Sequence, residues 1–448
     1  MDKSFFLKGN ILWSESPDLI KTIENGFLLC LEGKSGGVFK EIPAQYCHLP
    51  VENFEGKLIM PALADLHIHA PQFAFRALGM DMELLEWLNT RAFPEEAKYS
   101  DPEYAKEAYG YFVDHLKKGA SSRFCIYATI HTEGTLLLMD MLEESGLVSF
   151  VGKVSMDANC PDYLKEGSAA KAEAAVREWL TLYKKGREEG RYKNTAPIIT
   201  PRFAPSCSPE LLNRLGEIQK EHNLPVQSHL SENRREVEWV KELFPESGTY
   251  AAVYDRYGLL GKSAPTIMAH CVWLDKKEED LLLKNGVYIA HCPQSNTNLS
   301  SGIAPVRQLM DRGIPMGLGS DIAGGVHTSI FRAMSDAIGV SKLRRAITAT
   351  EEKALTLERA FYLGTMGGGS FFGKHRLPES EGRGSPSGVG FGPSGSFKEG
   401  WDFDALVIDD SAILPPVKLS IHERLERVIY LSDDNCIIKK YIRGIPIK

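Results

Sequence analysis

Eight times between about Leu58 and Asp321, a short apolar run ends in polar or metal-capable side chains and gives way to a longer stretch of helical periodicity. The first four runs end in Asp65-Leu66-His67-Ile68-His69, Phe124-Cys125-Ile126-Tyr127-Ala128, Val151-Gly152-Lys153-Val154-Ser155 and Ile198-Ile199-Thr200-Pro201-Arg202. The later four end in Val226-Gln227-Ser228-His229, Ile267-Met268-Ala269-His270, Tyr288-Ile289-Ala290-His291 and Met316-Gly317-Leu318-Gly319-Ser320-Asp321. Strands that alternate with helices form a parallel sheet, because each parallel pair needs a crossover, and eight such units is the count at which a (β/α)8 barrel closes. The predicted fold is α/β, a TIM-type barrel over residues 58–374. Barrel enzymes carry their chemistry at the C-terminal ends of the strands, and those ends here hold His67, His69, Arg202, His229, His270, His291 and Asp321.

Residues 1–57 and 401–448 contain short apolar segments such as Gly26-Phe27-Leu28-Leu29-Cys30-Leu31, Phe403-Asp404-Ala405-Leu406-Val407-Ile408 and Ile437-Ile438-Lys439-Lys440-Tyr441-Ile442. They predict a small β-sandwich-like domain built from both chain ends and interrupted by the barrel. Residues 375–400, dense in Gly, Ser and Pro from Pro378 onward, cannot bury enough apolar surface to order themselves and are expected to form a mobile surface loop.

A chain of 448 residues, 43% of them hydrophobic, can bury a large core. A net charge of −7 and the lack of a Lys/Arg-rich run argue against a nucleic-acid partner. No apolar stretch is long enough to span a bilayer, and Met1-Asp2-Lys3-Ser4-Phe5-Phe6 has no secretory leader pattern, so no membrane partner is expected. The eight cysteines are scattered without a CxxC pair and read as reduced thiols, which predicts a cytoplasmic protein; a homodimer is the expected assembly.

In His67-Ile68-His69 the two imidazoles lie two residues apart on a strand and point to the same side, where they can share one cation. An isolated HxH is weak evidence. Three further strand ends, with His229, His270 and Asp321, make chance a poor explanation: imidazoles and a carboxylate converging on the barrel axis suit zinc, or ferrous iron, and the lack of thiolate ligands disfavours a structural zinc site.

Strand-end HxH, His, His and Asp resemble the amidohydrolase superfamily. There, a fourth-strand lysine can bridge a second metal; this chain has Thr200-Pro201-Arg202-Phe203 and no lysine, so the resemblance implies one metal per chain. Narrower features resemble the guanine deaminases within that superfamily. These are His69-Ala70-Pro71-Gln72, Leu84-Leu85-Glu86-Trp87-Leu88 leading to Phe93-Pro94-Glu95-Glu96, Pro201-Arg202-Phe203, His229-Leu230-Ser231-Glu232, His291-Cys292-Pro293-Gln294-Ser295-Asn296 and Gly319-Ser320-Asp321. The implied reaction is hydrolysis of guanine to xanthine and ammonia by a metal-activated hydroxide.

Such a reaction needs water of lowered pKa, a proton for the ring nitrogen beside the attacked carbon, and a proton for the leaving amine. Glu232, three residues past His229, is the expected proton shuttle, against the alternative of a surface Glu opening a helix. The resemblance assigns Asp321 as both ligand and base, while His270 either touches the metal or polarises the tetrahedral centre. Gln72, Arg202 and Phe203 offer an amide, a planar fork and a stacking face for the base. His131 and His291 read as supporting or packing residues, and the apolar side chains of 84–88 as helix packing, although a helix following the first strand could cover the barrel mouth. Competing readings are a deaminase or chlorohydrolase of another aminoheterocycle, and a scaffold protein without catalysis.

Overall fold

The computed structural model describes residues 4–261, 264–348, 352–373 and 391–447. Strand β1 (Phe5–Ser16) pairs antiparallel with β2 (Leu19–Leu31), and β2 with β3 (Lys34–Phe39), while the other edge of β1 runs parallel to β4 (Val51–Pro61).

The barrel follows in the predicted order. Its strands are β5 (Leu63–His69), β6 (Ser121–Tyr127), β7 (Val148–Gly152) with its continuation β8 (Val154–Ser155), and β9 (Thr195–Pro197) with its continuation β10 (Thr200–Pro201). After these come β11 (Val226–Leu230), β12 (Thr266–His270), β13 (Tyr288–His291) and β14 (Met316–Leu318). All residues of β5, β6, β7, β12 and β13 are buried, as expected of parallel strands covered on one face by helices and packed against one another on the other.

Two parallel runs, β5-β6-β7-β9 and β11-β12-β13-β14, meet at two seams. At one, Ile199 bridges to Val226 and the Gln227 amide donates to the Ile199 carbonyl at 2.9 Å. At the other, the Asp321 amide donates to the His67 carbonyl at 2.8 Å and the His69 amide to the Ile322 carbonyl at 3.2 Å. The buried Asp65 carboxylate fastens that second seam, accepting from the Ser320 hydroxyl at 2.5 Å, the Ser320 amide at 3.0 Å and the His67 amide at 3.2 Å. The metal-capable residues of β5 and of the segment after β14 are thus tied together by the closure of the ring itself.

The remaining strands, β15 (Ala405–Ile408), β16 (Ile437–Ile442) and β17 (Ile445–Ile447), complete the sheet begun by β1–β4, in the order β17-β16-β15-β4-β1-β2-β3. The outcome is one seven-stranded sheet drawn from both chain ends. Its pleat separates two sets of apolar side chains: Leu58, Met60, Leu406 and Ile408 join the main core, while Ile59, Ala405, Val407 and Tyr441 join a smaller cluster with Leu7, Ile11 and Phe403. Arg123 of β6 crosses to this sheet as a fully buried cation, with Nε 2.6 Å from Asp404 and Nη2 2.8 Å from Asp402.

The expected loop over 375–400 is only partly described, since residues 374–390 lie outside the described set. Residues 391–397 differ from the expectation: Phe391, Ser394, Ser396 and Phe397 are buried. The physical reason is close backbone approach. A Cβ on Gly369 would stand 2.1 Å from the Ser394 carbonyl oxygen, and one on Gly373 would stand 2.7 Å from Pro393, so glycine and small residues pack main chain against main chain here. Within the segment itself Gly395 meets the same demand, since a Cβ there would stand 2.2 Å from the Thr365 carbonyl oxygen.

Candidate active site

His67 and His69 project inward from β5, His229 from β11 and His270 from the end of β12, and Asp321 follows β14. Their donor atoms converge. His69 Nε2 lies 3.3 Å from His67 Nε2 and 3.2 Å from His229 Nε2, and Asp321 Oδ1 lies 3.1 Å from His67 Nε2 and 3.5 Å from His69 Nε2. Two ligands about 2.1 Å from one ion in tetrahedral array stand roughly 3.4 Å apart, so these spacings are the edges of a coordination polyhedron. Two groups among the described residues, His67/His69/His229 and His67/His270/Asp321, have the spacing to hold a metal ion.

Tautomers support the same use. His229 Nδ1 donates to the Arg202 carbonyl at 2.6 Å, and His270 Nδ1 donates to Asn296 Oδ1 at 2.8 Å, which leaves each Nε2 with a lone pair aimed inward. Burial holds His67 below its ordinary pKa, and His69 and His229 well below, so these imidazoles are neutral, as ligands must be. His270 Nε2 is buried without a hydrogen-bond partner, 3.7 Å from Asp321 Oδ2 and 3.4 Å from Glu232 Oε2. Facing lone pairs at these distances repel one another unless a cation lies among them, and this donor set therefore fits a divalent metal.

The backbone is strained where it delivers these groups. Ser231, His270 and Asp321 have φ values of 49°, 71° and 47°, in the left-handed region that costs a non-glycine residue roughly 1 kcal/mol or more.

Glu232 is 3% exposed and accepts from the Ser301 hydroxyl at 2.9 Å. Burial, reinforced by the nearby Asp321 carboxylate and only partly opposed by Ser301, pushes its carboxyl up to about 8. The helix-opening alternative is also realised, though by another residue: Glu236 accepts from the Glu232 and Asn233 amides and completes the cap of helix Arg234–Leu243.

A cavity lies over the cluster. Gln72, Arg202 and Phe203 line it together with His69, His229, His270, Asp321 and Glu232, so the site residues expected from the sequence share one chamber, with His67 behind them. The apolar side of the chamber includes Leu84, Trp87 and Leu88. They were expected first to pack a helix, with cover of the barrel mouth as the alternative; they are buried and also wall the cavity. Phe203 meets Trp239 in an edge-on ring contact at 6.2 Å.

Sequence reasoning gave no role to Glu96, Asn296 or Ser301. Glu96 accepts from Gln72 Nε2 at 2.8 Å and pairs with Arg202, while Asn296 fixes the His270 ring. The local signal was present in Phe93-Pro94-Glu95-Glu96 and His291-Cys292-Pro293-Gln294-Ser295-Asn296, but which residue of each motif faces the site depends on helix phase. His291 is buried, its ring nitrogens without a hydrogen-bond partner among the described residues, and burial pulls its pKa to about 3. His131 precedes helix Thr132–Ser145, and neither histidine lines the cavity.

The chain belongs to the amidohydrolase family, whose model matches residues 58–377. Within that family its likeness is to guanine deaminases. It is 36% identical over 441 residues to the guanine deaminase of Rattus norvegicus, covering 95% of this chain and 91% of that protein. It is 38% identical over 398 residues to the guanine deaminase of Dictyostelium discoideum, covering 88% and 83%. Its fold matches a crystal structure of guanine deaminase from C. acetobutylicum with bound guanine in the active site, at a TM-score of 0.91, 40% identity, and coverage of 99% of this chain and 100% of that one.

Proposed function

We infer that the protein is a hydrolytic deaminase that converts guanine and water to xanthine and ammonia. The observation that carries this reading is that one cavity is lined both by the imidazole–carboxylate cluster and by the Gln72–Arg202 pair. Further support comes from the full-length likeness to a guanine-bound guanine deaminase.

His67, His69, His229, His270 and Asp321 would hold one divalent ion per chain, zinc or ferrous iron, which when bound lowers the pKa of a water toward roughly 7. His270 belongs with the ligands, because its Nδ1–H is engaged by Asn296 and its Nε2 presents a lone pair rather than a donor. Asp321 takes a proton from the attacking water. Glu232, whose burial lets it hold a proton near neutral pH, delivers it to the ring nitrogen beside the attacked carbon, is recharged by the proton that Asp321 took from the water and passes that one to the departing amine, which leaves as ammonia; the second water proton, shed as the new carbonyl forms, restores Glu232. Arg202 directs its planar fork to the carbonyl edge of guanine, Gln72 supplies a donor and an acceptor, and Phe203 offers its ring as an apolar wall. The wall formed by Leu84, Trp87 and Leu88 excludes water from the reacting face.

The proposal extends to the division of the chain and to its setting. The end-built sheet, with its own apolar cluster, is a small domain set around the barrel; the division at 57/58 expected from the sequence falls inside β4, whose Leu58, Ile59, Met60 and Pro61 still pair with β15, so the first part of the domain runs to Pro61 and the second is residues 401–448. The eight cysteines, none of them in a disulfide among the described residues, suit a reducing cytoplasm, and a homodimer is the assembly that light scattering should report.

The decisive experiment measures ammonia release from a panel of purines, pyrimidines and pterins by the metal-replete protein. Guanine should be the preferred substrate. Efficient turnover of a different aminoheterocycle, or of a chlorotriazine, with guanine inert would transfer the same machinery to another substrate; no turnover at all would leave the scaffold reading.

A further inference from the structure

We propose that Glu96 is a positioning residue that sets the substrate discrimination of this site by locking Gln72 and Arg202 into one arrangement. The proposal rests on the reading of the cavity as a guanine site.

Glu96 is 5% exposed, and its two carboxylate oxygens serve two different partners: Oε1 accepts from Gln72 Nε2 at 2.8 Å and Oε2 pairs with Arg202 Nη1. An amide side chain can turn over by 180° at almost no steric cost, which would exchange the donor and acceptor offered to a ligand. Gln72 is prevented from doing so at both ends. Its amide nitrogen faces a carboxylate that only accepts, and its carbonyl oxygen faces the Ala323 amide, which only donates, at 2.9 Å. One N–H and one lone pair remain for a ligand, in a fixed sense.

Arg202 is held by the same carboxylate and lies 5.0 Å over the ring of Phe93, a residue of the same short helix, Phe93–Ala97, that carries Glu96. A guanidinium clamped from one side by an anion and from another by a ring face cannot sweep the cavity, so its unused N–H groups keep one direction. The neighbouring carboxylate points elsewhere: Glu95 bonds Lys98 at 2.6 Å and the Tyr104 hydroxyl. Of the tandem pair, Glu96 alone reaches the two cavity residues. A fixed donor fork selects a ring that carries a carbonyl acceptor over one that lacks it, because the ring without the acceptor leaves buried donors unpaired.

Glutamine at position 96 keeps the shape but has one acceptor oxygen and one amino group. It can accept from Gln72 or from Arg202, and the other contact becomes donor against donor. The test measures kcat/KM for guanine and for 2-aminopurine, which carries the same 2-amino group without the carbonyl, in the wild type, Glu96→Gln, Arg202→Ala and the double variant. Glu96→Gln should lower the guanine/2-aminopurine ratio by at least about tenfold, with metal content and thermal midpoint near wild type. In the Arg202→Ala background, where a glutamine at 96 is free to accept from Gln72, the same change should move the ratio by less than about twofold.

If both substrates fall by one common factor, or if the ratio stays at the wild-type value, Glu96 is merely structural and the proposal is overturned. Should Glu96→Gln not accumulate as folded protein, Glu96→Asp carries the test: it keeps the charge but falls a methylene short of the bridge, and an unchanged ratio overturns the proposal equally. A wild-type protein that does not deaminate guanine sinks the functional reading itself, a result seen without any variant.

Discussion

Replacing Glu232 by Gln isolates the proton carrier from everything else in the site. The variant keeps the side-chain volume, an oxygen that can accept from the Ser301 hydroxyl now 2.9 Å away, and the same reach toward His270 Nε2 at 3.4 Å. It removes only the capacity to hold and release a proton. General acid–base catalysis contributes about 10²- to 10⁴-fold, so kcat for guanine should fall by at least about 100-fold, which is about 2.7 kcal/mol on the barrier. Metal content should not change, because the ligand nitrogens and Asp321 are untouched. Steady-state turnover at saturating guanine and elemental analysis on the same preparation give both numbers. Full turnover with normal metal would refute the reasoning and route the proton through Asp321 alone, whereas loss of metal would make Glu232 a ligand.

Elemental analysis of the wild type should give about one divalent ion per chain, and His67→Ala should lower metal and activity together. Gly319→Ala should do the same without touching a ligand: the added Cβ would lie 2.8 Å from the His67 Cβ and 2.9 Å from the Cys292 sulfur, so the strand bearing His67 must shift. Unchanged metal affinity in that variant would contradict the packing argument. His291 gives a pH effect whose sign follows from its burial. Its pKa falls from an unfolded value near about 6.5 to about 3 in the fold, so the unfolded chain binds the extra proton, and the stability this group contributes is present above about 6.5 and lost as pH falls toward 3. His291→Leu should therefore show a shallower loss of thermal midpoint between pH 6.5 and 4 than the wild type; parallel curves would show that His291 is not the sensor.

The barrel and the cluster were legible because each strand announces its own C-terminal end. An apolar run closing on a histidine or aspartate is a local signal, and the five of the eight runs that carry it need no knowledge of what lies across the barrel. What stayed hidden depends on helix phase or on distance along the chain. Whether Glu95 or Glu96 reaches Gln72 and Arg202 turns on about 100° of helical rotation, too fine a difference for a segment that mixes α-helix with a wider π turn over Leu88–Ala92. Arg123, a charge inside the strand Ser121–Tyr127, was not singled out: its partners Asp402 and Asp404 lie 279 and 281 residues away, beyond any periodicity. Residues 391–397 were misread for a third reason: low hydrophobicity signals disorder only when nothing close-packed needs a slim backbone, and the glycines at 369 and 373 create that need.

The strand order of the end sheet also governs how the chain must be made. β4 finds β1 within the first 61 residues, but its other edge pairs with β15, from Ala405↔Pro61 to Ile408↔Leu58. On the ribosome that edge, with Leu58, Ile59 and Met60 side by side, waits unpaired while more than 300 residues of barrel are synthesised. A bare strand edge is a template for any other extended chain nearby, so the nascent protein carries its greatest aggregation hazard before its last strands emerge. A chain truncated before β15 should fail by clumping rather than by losing chemistry, even though every residue of the catalytic cluster is already present in it.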